Sequence, residues 1–137
     1  MSQKAKNGLT LFLHLGCKGC HSGIAVGGLS MQKFPLRRIW SIDSIFDFQK
    51  TPDFPFENKG DFLGKDNRKL FRVPILRNVE HTSPYFHNGS VKDLKEAVRI
   101  MGLYQTDVKL NDAQLDEIVE FLNSLSGELV NYKMATH

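Results

Sequence analysis

Apolar residues recur at helical spacing in three stretches of the chain. In the first, Leu9, Phe12 and Leu13 fall at i, i+3 and i+4, which predicts a helix over 3–15. Gly8, four residues before Phe12, leaves a flat spot on that face where another helix can approach closely. Gly16 ends the run. A second helix is predicted over 91–101. Leu94, Ala97, Val98 and Met101 form its stripe, Ser90 its N-cap with Asp93 in the capping-box position, and Gly102 its stop. The third pattern starts at Asn111, a good cap, with Asp112 at the positive helix start and Gln114 completing a capping box. Its stripe is Leu115, Ile118, Val119, Leu122 and Leu125, and Gly127 is the expected C-terminal stop.

Between the first and second patterns the periodicity is lost. From about residue 23 to 71 the chain carries Gly27, Gly28, Pro35, Pro52, Pro55, Gly60 and Gly64, which disfavour long helices. The same stretch holds Phe34, Trp40, Phe46, Phe48, Phe54, Phe56, Phe62 and Phe71, eight of fourteen aromatics (ten Phe, three Tyr, one Trp). A long loop this rich in large apolar groups must bury them, and a flat apolar cofactor gives it something to enclose. The tail from about 129 to 137 reads as frayed.

With 137 residues, 41% of them hydrophobic and 24% charged, the chain reads as a single domain, 1–137, large enough for a real core. No stretch approaches the roughly 20 apolar residues of a membrane span. The net charge of +3 comes without a dense basic tract carrying stacking aromatics, so nucleic acid is not an expected partner. The densest basic run, Lys65, Arg68, Lys69, Arg72 and Arg77, reads mainly as a solvated face. The N-terminus, Met1 to Lys6, lacks the apolar core of a signal peptide, so an exported protein would be represented here by a mature form or a truncated one. Two cysteines exclude a disulfide-built scaffold.

Both cysteines lie in Cys17-Lys18-Gly19-Cys20-His21, which is C-x-x-C-H, the attachment pattern of c-type haem. Two thiols at this spacing can form thioethers with the two vinyl groups on one haem edge. The following histidine then offers an imidazole nitrogen to iron. The alternatives fit less well. A thioredoxin-like dithiol needs a preceding strand and a βαβ unit. A structural zinc site needs four ligands in close pairs, and His14, His81 and His87 form none.

Gly8-x-x-x-Phe12 before C-x-x-C-H, with a C-terminal amphipathic helix carrying Phe121, resembles the class I cytochrome c fold. The resemblance implies an all-α fold of about three main helices with long irregular haem-enclosing loops, the first and last helices crossing at the Gly and aromatic positions. Phe71-Arg72-Val73-Pro74-Ile75-Leu76-Arg77-Asn78-Val79, Thr82-Ser83-Pro84-Tyr85-Phe86-His87-Asn88-Gly89-Ser90 and Ala97-Val98-Arg99-Ile100-Met101-Gly102 closely resemble the bacterial di-haem cytochrome c peroxidases. In order along nearly the whole chain, they are similar to the C-terminal, high-potential half of those enzymes.

The resemblance implies one covalent haem c on Cys17 and Cys20, with His21 and Met101 as axial ligands of its iron. Periodicity alone would make Met101 a core methionine. Met31 is a spare candidate, and His81 or His87 would give a bis-histidine iron, although His87 matches a family histidine that is not a ligand in this half. Arg72 and Arg77 are candidates for the haem propionates, because Arg binds carboxylates in a planar, bidentate way. Thr82 and Pro84 match backbone-carbonyl calcium ligands.

The implied function is electron transfer from a small donor, a cytochrome c or a cupredoxin, to a peroxidatic haem domain that corresponds to an N-terminal half. Peroxidase activity would then need assembly with that half. A redox or gas sensor with a labile sixth ligand is the reading from another class. A homodimer is compatible with the resemblance, and haem c chemistry implies the periplasm.

Overall fold

The computed structural model describes residues 1–34, 70–87 and 89–127. The aromatics from Trp40 to Phe62, the basic residues Lys65, Arg68 and Lys69, and the 129–137 tail lie outside the described residues.

Three helices carry the described fold: α1 (Gln3–His14), α2 (Leu94–Thr106) and α3 (Asp112–Asn123). Two short strands, β1 (Met31–Lys33) and β2 (Leu70–Arg72), pair antiparallel with Gln32 opposite Phe71. The helices bear out the expected cytochrome c-like class. The strand pair is an addition to the all-α expectation, in a stretch too short for alternation to show.

Ser2 caps α1 by accepting from the Ala5 N–H at 3.1 Å. The buried face of α1 is Ala5, Gly8 and Phe12. Leu13, expected on the apolar stripe, is instead 46% exposed. The small residues choose the face, because they let α3 come close. A Cβ at Gly8 would collide with the Glu117 carbonyl and crowd Phe121. One turn on, the Phe12 and Phe121 rings meet at 5.2 Å, tilted by 55°. Asn7 Nδ2 donates to Glu117 Oε1 at 2.9 Å, and Ser2 Oγ to Glu120 Oε1 at 3.2 Å, along the same crossing. The first and last helices thus cross at the predicted Gly and aromatic positions. Leu115, Ile118, Phe121 and Leu122 bury the α3 face in this cluster with Val79 and Leu110. Each large side chain buried there contributes about 1.5–3 kcal/mol.

α3 starts as predicted. The Asn111 side chain accepts from the Gln114 N–H at 2.9 Å, and Gln114 Oε1 accepts from the Asn111 N–H at 3.0 Å, a complete capping box. It ends at Asn123 with Ser124 as C-cap, short of Gly127.

α2 departs from expectation at both ends. Val91 is held in an extended bridge to Tyr85, which keeps 91–93 out of the helix. Asp93, not Ser90, is the cap, accepting from the Glu96 N–H at 2.8 Å. Gly102 does not stop the helix. It is buried inside it, where a Cβ would stand 3.0 Å from Leu110 and 3.1 Å from the Val108 carbonyl. The glycine serves the packing of the α2–α3 connection, and the helix ends at Thr106, with Asp107 left-handed at φ 59°. Lys95 ties α2 to α3 through Asp116 at 2.7 Å and Asp112 at 3.5 Å.

A second apolar cluster comprises Phe34, Val91, Ala97, Ile100 and Tyr104, with Met101, Phe71, Tyr85 and Phe86 packed on it. Tyr85 touches both clusters, and its hydroxyl donates to the Val79 carbonyl at 3.2 Å.

The crossing yields a direct test by thermal unfolding. Gly8→Ala is expected to destabilise the protein by about 1–3 kcal/mol, the cost of overpacking a tight contact. Leu13→Ser, on the exposed side of the same helix, is expected to stay within about 0.5 kcal/mol of wild type. Equal stability of the two variants would contradict this account of the crossing.

Candidate functional site

α1 ends in a sharp turn. Gly16 takes a left-handed φ of 80°, a conformation that glycine adopts without strain, and Cys17–Gly19 follow as a 3-10 turn. The Cys17 carbonyl accepts from the Cys20 N–H at 3.2 Å and from the His21 N–H at 2.9 Å. One carbonyl therefore holds both cysteines and the histidine on a single compact turn. Since α1 is anchored by its crossing with α3, the turn is anchored too.

His21 is half-buried, and its Nδ1 lies 3.2 Å from the Pro74 carbonyl oxygen. As a donor to that oxygen, Nδ1 carries the proton and Nε2 keeps the lone pair. Burial pushes the imidazole pKa below its usual value, and the Pro74 and Val26 backbone groups oppose the shift. The Phe12 ring lies 6.3 Å from the imidazole.

Pro74 is held in place by a ladder that continues the β1–β2 pairing. Gly28 N–H donates to the Val73 carbonyl and Val73 N–H to the Ser30 carbonyl, both at 2.9 Å. Beyond Pro74, Leu76 N–H donates to the Val26 carbonyl at 3.1 Å and Arg77 N–H to the Ala25 carbonyl at 3.3 Å. A Cβ on Gly27 would run into the Pro74 carbonyl, so the bare backbone there is what lets the two segments close. Val26 turns the chain with φ 52°, an uncommon conformation for a β-branched residue.

Cys17 packs half-buried against the first apolar cluster, and burial raises its thiol pKa. The Cys20 sulfur accepts from Gln32 Nε2 of β1 at 3.6 Å. Arg72 is exposed, and its Nε donates to the Gly28 carbonyl at 3.1 Å. Arg77 is exposed, with its guanidinium beside Gly127.

Cys17, Cys20, His21 and the Arg72–Arg77 segment are thus brought together by hydrogen bonds. Met101 sits elsewhere, half-buried in the middle of α2 within the second cluster, and not at a helix end as expected. Met31 is 44% exposed in β1. His81 is exposed beside Glu80 at 3.4 Å. His87 stacks on Phe71 at 4.2 Å, and burial lowers its pKa. Thr82 and Pro84 are exposed, and Thr82 Oγ1 donates to the Val79 carbonyl at 2.9 Å. Among the described residues, no three His, Cys, Asp or Glu side chains cluster as a metal site.

Two contacts of the turn were not anticipated from the sequence: the Pro74 carbonyl on His21 and the Gln32 amide on Cys20. A backbone carbonyl carries no residue-specific mark. Gln32 gave no signal because nothing in the pattern placed a strand beside the turn.

No protein-family profile matches the chain. The cytochrome c551 peroxidase of Nitrosomonas europaea is 36% identical over 135 residues, covering 98% of this chain and 37% of that protein. The cytochrome c551 peroxidase of Pseudomonas aeruginosa is 39% identical over 134 residues, covering 93% of this chain and 35% of that protein. A solved structure described as a MauG-like protein associated with microbial copper homeostasis superposes with a TM-score of 0.65 over 93% of this chain and 48% of that one. At 21% identity it speaks for the fold alone. The chain spans little more than a third of the length of the peroxidases it matches. Nearly end to end, the chain is similar to bacterial cytochrome c peroxidases, as the counterpart of about a third of such a protein.

Proposed function

We propose that the chain is a single c-type cytochrome domain that transfers electrons, equivalent to the electron-accepting haem domain of a di-haem peroxidase. The observation that carries this reading is the turn itself. Two thiols and an imidazole lie on one turn, and the imidazole is fixed by the Pro74 carbonyl. These donors fit haem c, with Cys17 and Cys20 as attachment points and His21 Nε2 toward iron. Phe12, Val26 and Leu76 supply apolar surface behind the turn.

Bound there, the haem would supply an iron that cycles between ferrous and ferric states. The residues set the conditions for that cycle. Pro74 fixes the tautomer and orientation of His21, an outer contact of the kind that tunes a metal ligand. Met101 would be the second residue to hold the iron, and its neutral thioether would favour the ferrous state and raise the potential. Its position in a cluster with Phe34, Ile100 and Tyr104 keeps that side apolar. Of the two arginines, Arg77 is the better propionate partner, since Arg72 already spends its Nε on Gly28. Calcium on the Thr82 and Pro84 carbonyls belongs to the same reading, as a junction with a further haem domain.

The length of the relatives supports a second, compatible reading. They are nearly three times as long as their matched region, so peroxide reduction would need a peroxidatic haem supplied by another domain or chain. A small cytochrome c or cupredoxin would donate the electrons, in the periplasm. Among the described residues no helix is long and apolar enough to cross a membrane.

The visible spectrum tests the ligand set. The ferric wild-type protein is expected to be low-spin, with the weak far-red band of sulfur bound to iron. Met101→Ala should lose that band, become high-spin, drop in potential and gain some turnover with hydrogen peroxide. A variant that keeps the band would exclude Met101, and a high-spin wild type would favour the sensor reading. Titration of the potential tests the arginines. Arg77→Gln should lower it, because removing a nearby cation eases formation of the ferric state, and Arg72→Gln should lower it less. Unchanged potentials in both would remove them from the propionate site.

A further inference from the structure

Met101 and Gln105 stand four residues apart on α2, one turn above the other on the same side of the helix. The Gln105 side chain leaves the helix and reaches β1. Its Nε2 donates to the Lys33 carbonyl oxygen at 3.0 Å, joining residues 72 apart in sequence. A carbonyl oxygen only accepts, so the NH2 end of the amide is the end that meets it.

Apart from this bond, the contact between α2 and the end of β1 is apolar. Phe34, which follows Lys33, packs in the second cluster with Ile100 and Tyr104. Apolar burial is non-directional, whereas a hydrogen bond weakens steeply with misalignment and so fixes a position. Two other contacts locate α2, and both lie toward α3. Lys95 bonds Asp116 and Asp112 near the helix start, and Gly102 packs against Leu110 and the Val108 carbonyl. Gln105 locates the helix on the β1 side.

β1 is also tied to the attachment turn. Lys33 stands opposite Leu70, and the chain runs from β2 straight on to Pro74, whose carbonyl oxygen meets His21 Nδ1. One short ribbon thus seats His21 through Pro74, and Met101 through Lys33 and Gln105.

We infer that Gln105 is a positioning residue for Met101: its bond to the Lys33 carbonyl holds α2 on the ribbon that also seats His21, and so keeps the Met101 thioether on the iron. The inference rests on the reading of Met101 as the second iron ligand. A hydrogen bond of ordinary strength is worth about five-fold in an equilibrium constant. Without it, the fraction of molecules with Met101 off the iron should rise about five-fold. An added ligand that binds only when Met101 is off should then bind about five-fold tighter, because its apparent Kd is the intrinsic value divided by that fraction.

Imidazole is the probe. It is titrated at fixed pH into the purified ferric, haem-bearing chain, and binding is followed by visible absorption. Gln105→Glu keeps the length and an acceptor oxygen but offers the Lys33 carbonyl no N–H. Gln105→Leu is the uncharged counterpart. Both are expected to keep the far-red band of sulfur on iron before imidazole is added, and to bind imidazole about five-fold tighter than wild type. Thr106→Val is the control. It removes the 2.7 Å bond from Thr106 Oγ1 to the Gly102 carbonyl at the same helix end, with no link to β1, and should leave the affinity at the wild-type value. In a Met101→Ala background, where imidazole has no thioether to displace, the Gln105 substitutions should change nothing.

Wild-type affinity in both Gln105 variants would overturn the inference. So would equal tightening in Thr106→Val, which would reduce the effect to fraying of the helix end. A five-fold tightening that persists in the Met101→Ala background would overturn it too, since Gln105 would then act on access to the iron and not through Met101. Met101→Ala that keeps the far-red band and the wild-type affinity would instead overturn the ligand reading, and the inference with it.

Discussion

The close crossing of α1 and α3 at Gly8 is the constraint on which the rest depends. A helix that approaches within backbone contact is fixed in position and rotation by that contact. Gly8 against Glu117 and Phe12 against Phe121 set where α1 ends. Gly16 then turns the chain, and the Cys17 carbonyl collects the amides of Cys20 and His21. The reactive groups thus sit on an irregular turn that borrows its rigidity from a helix pair. A loop alone would not hold three side chains in register.

The second support comes from far along the sequence. The segment 73–77 lies against 25–30 through four backbone hydrogen bonds, and it delivers the Pro74 carbonyl to His21. The strained turn at Val26 and the bare backbone at Gly27 let the segments close. Strain of this kind persists only where surrounding contacts over-determine it, and here it sits beside the imidazole. On the proposed reading, helix crossing and backbone ladder hold the attachment turn from two sides. On the same reading, the second cluster, with Met101 in α2, would supply the other wall.

The sequence made much of this legible, for identifiable reasons. The Asn111–Gln114 box is a purely local signal, and the start of α3 followed from it. Gly8, Phe12 and Phe121 were placed at the crossing through resemblance to the cytochrome c fold, and the packing bears this out. Local signals failed where a tertiary contact overrode them. Ser90 looked like a cap, but the Tyr85–Val91 bridge moved the helix start to Asp93. Gly102 looked like a stop, but close packing of Leu110 claimed it. Leu13 looked buried, but Ala5 and Gly8 turned the helix the other way. At the site, C-x-x-C-H was plain because its chemistry is written in side chains. Pro74 and Gln32 were not, since one acts through its backbone and the other through a strand too short to predict.

The central claim is that the turn from Cys17 to His21 carries covalent haem. The intact mass of the chain, matured in the periplasm of a bacterium that attaches haem c and measured after denaturation, tests it most directly. The account predicts the polypeptide mass increased by one haem, retained in acid and organic solvent. The bare polypeptide mass, with or without the two hydrogens lost to a Cys17–Cys20 disulfide, would contradict it.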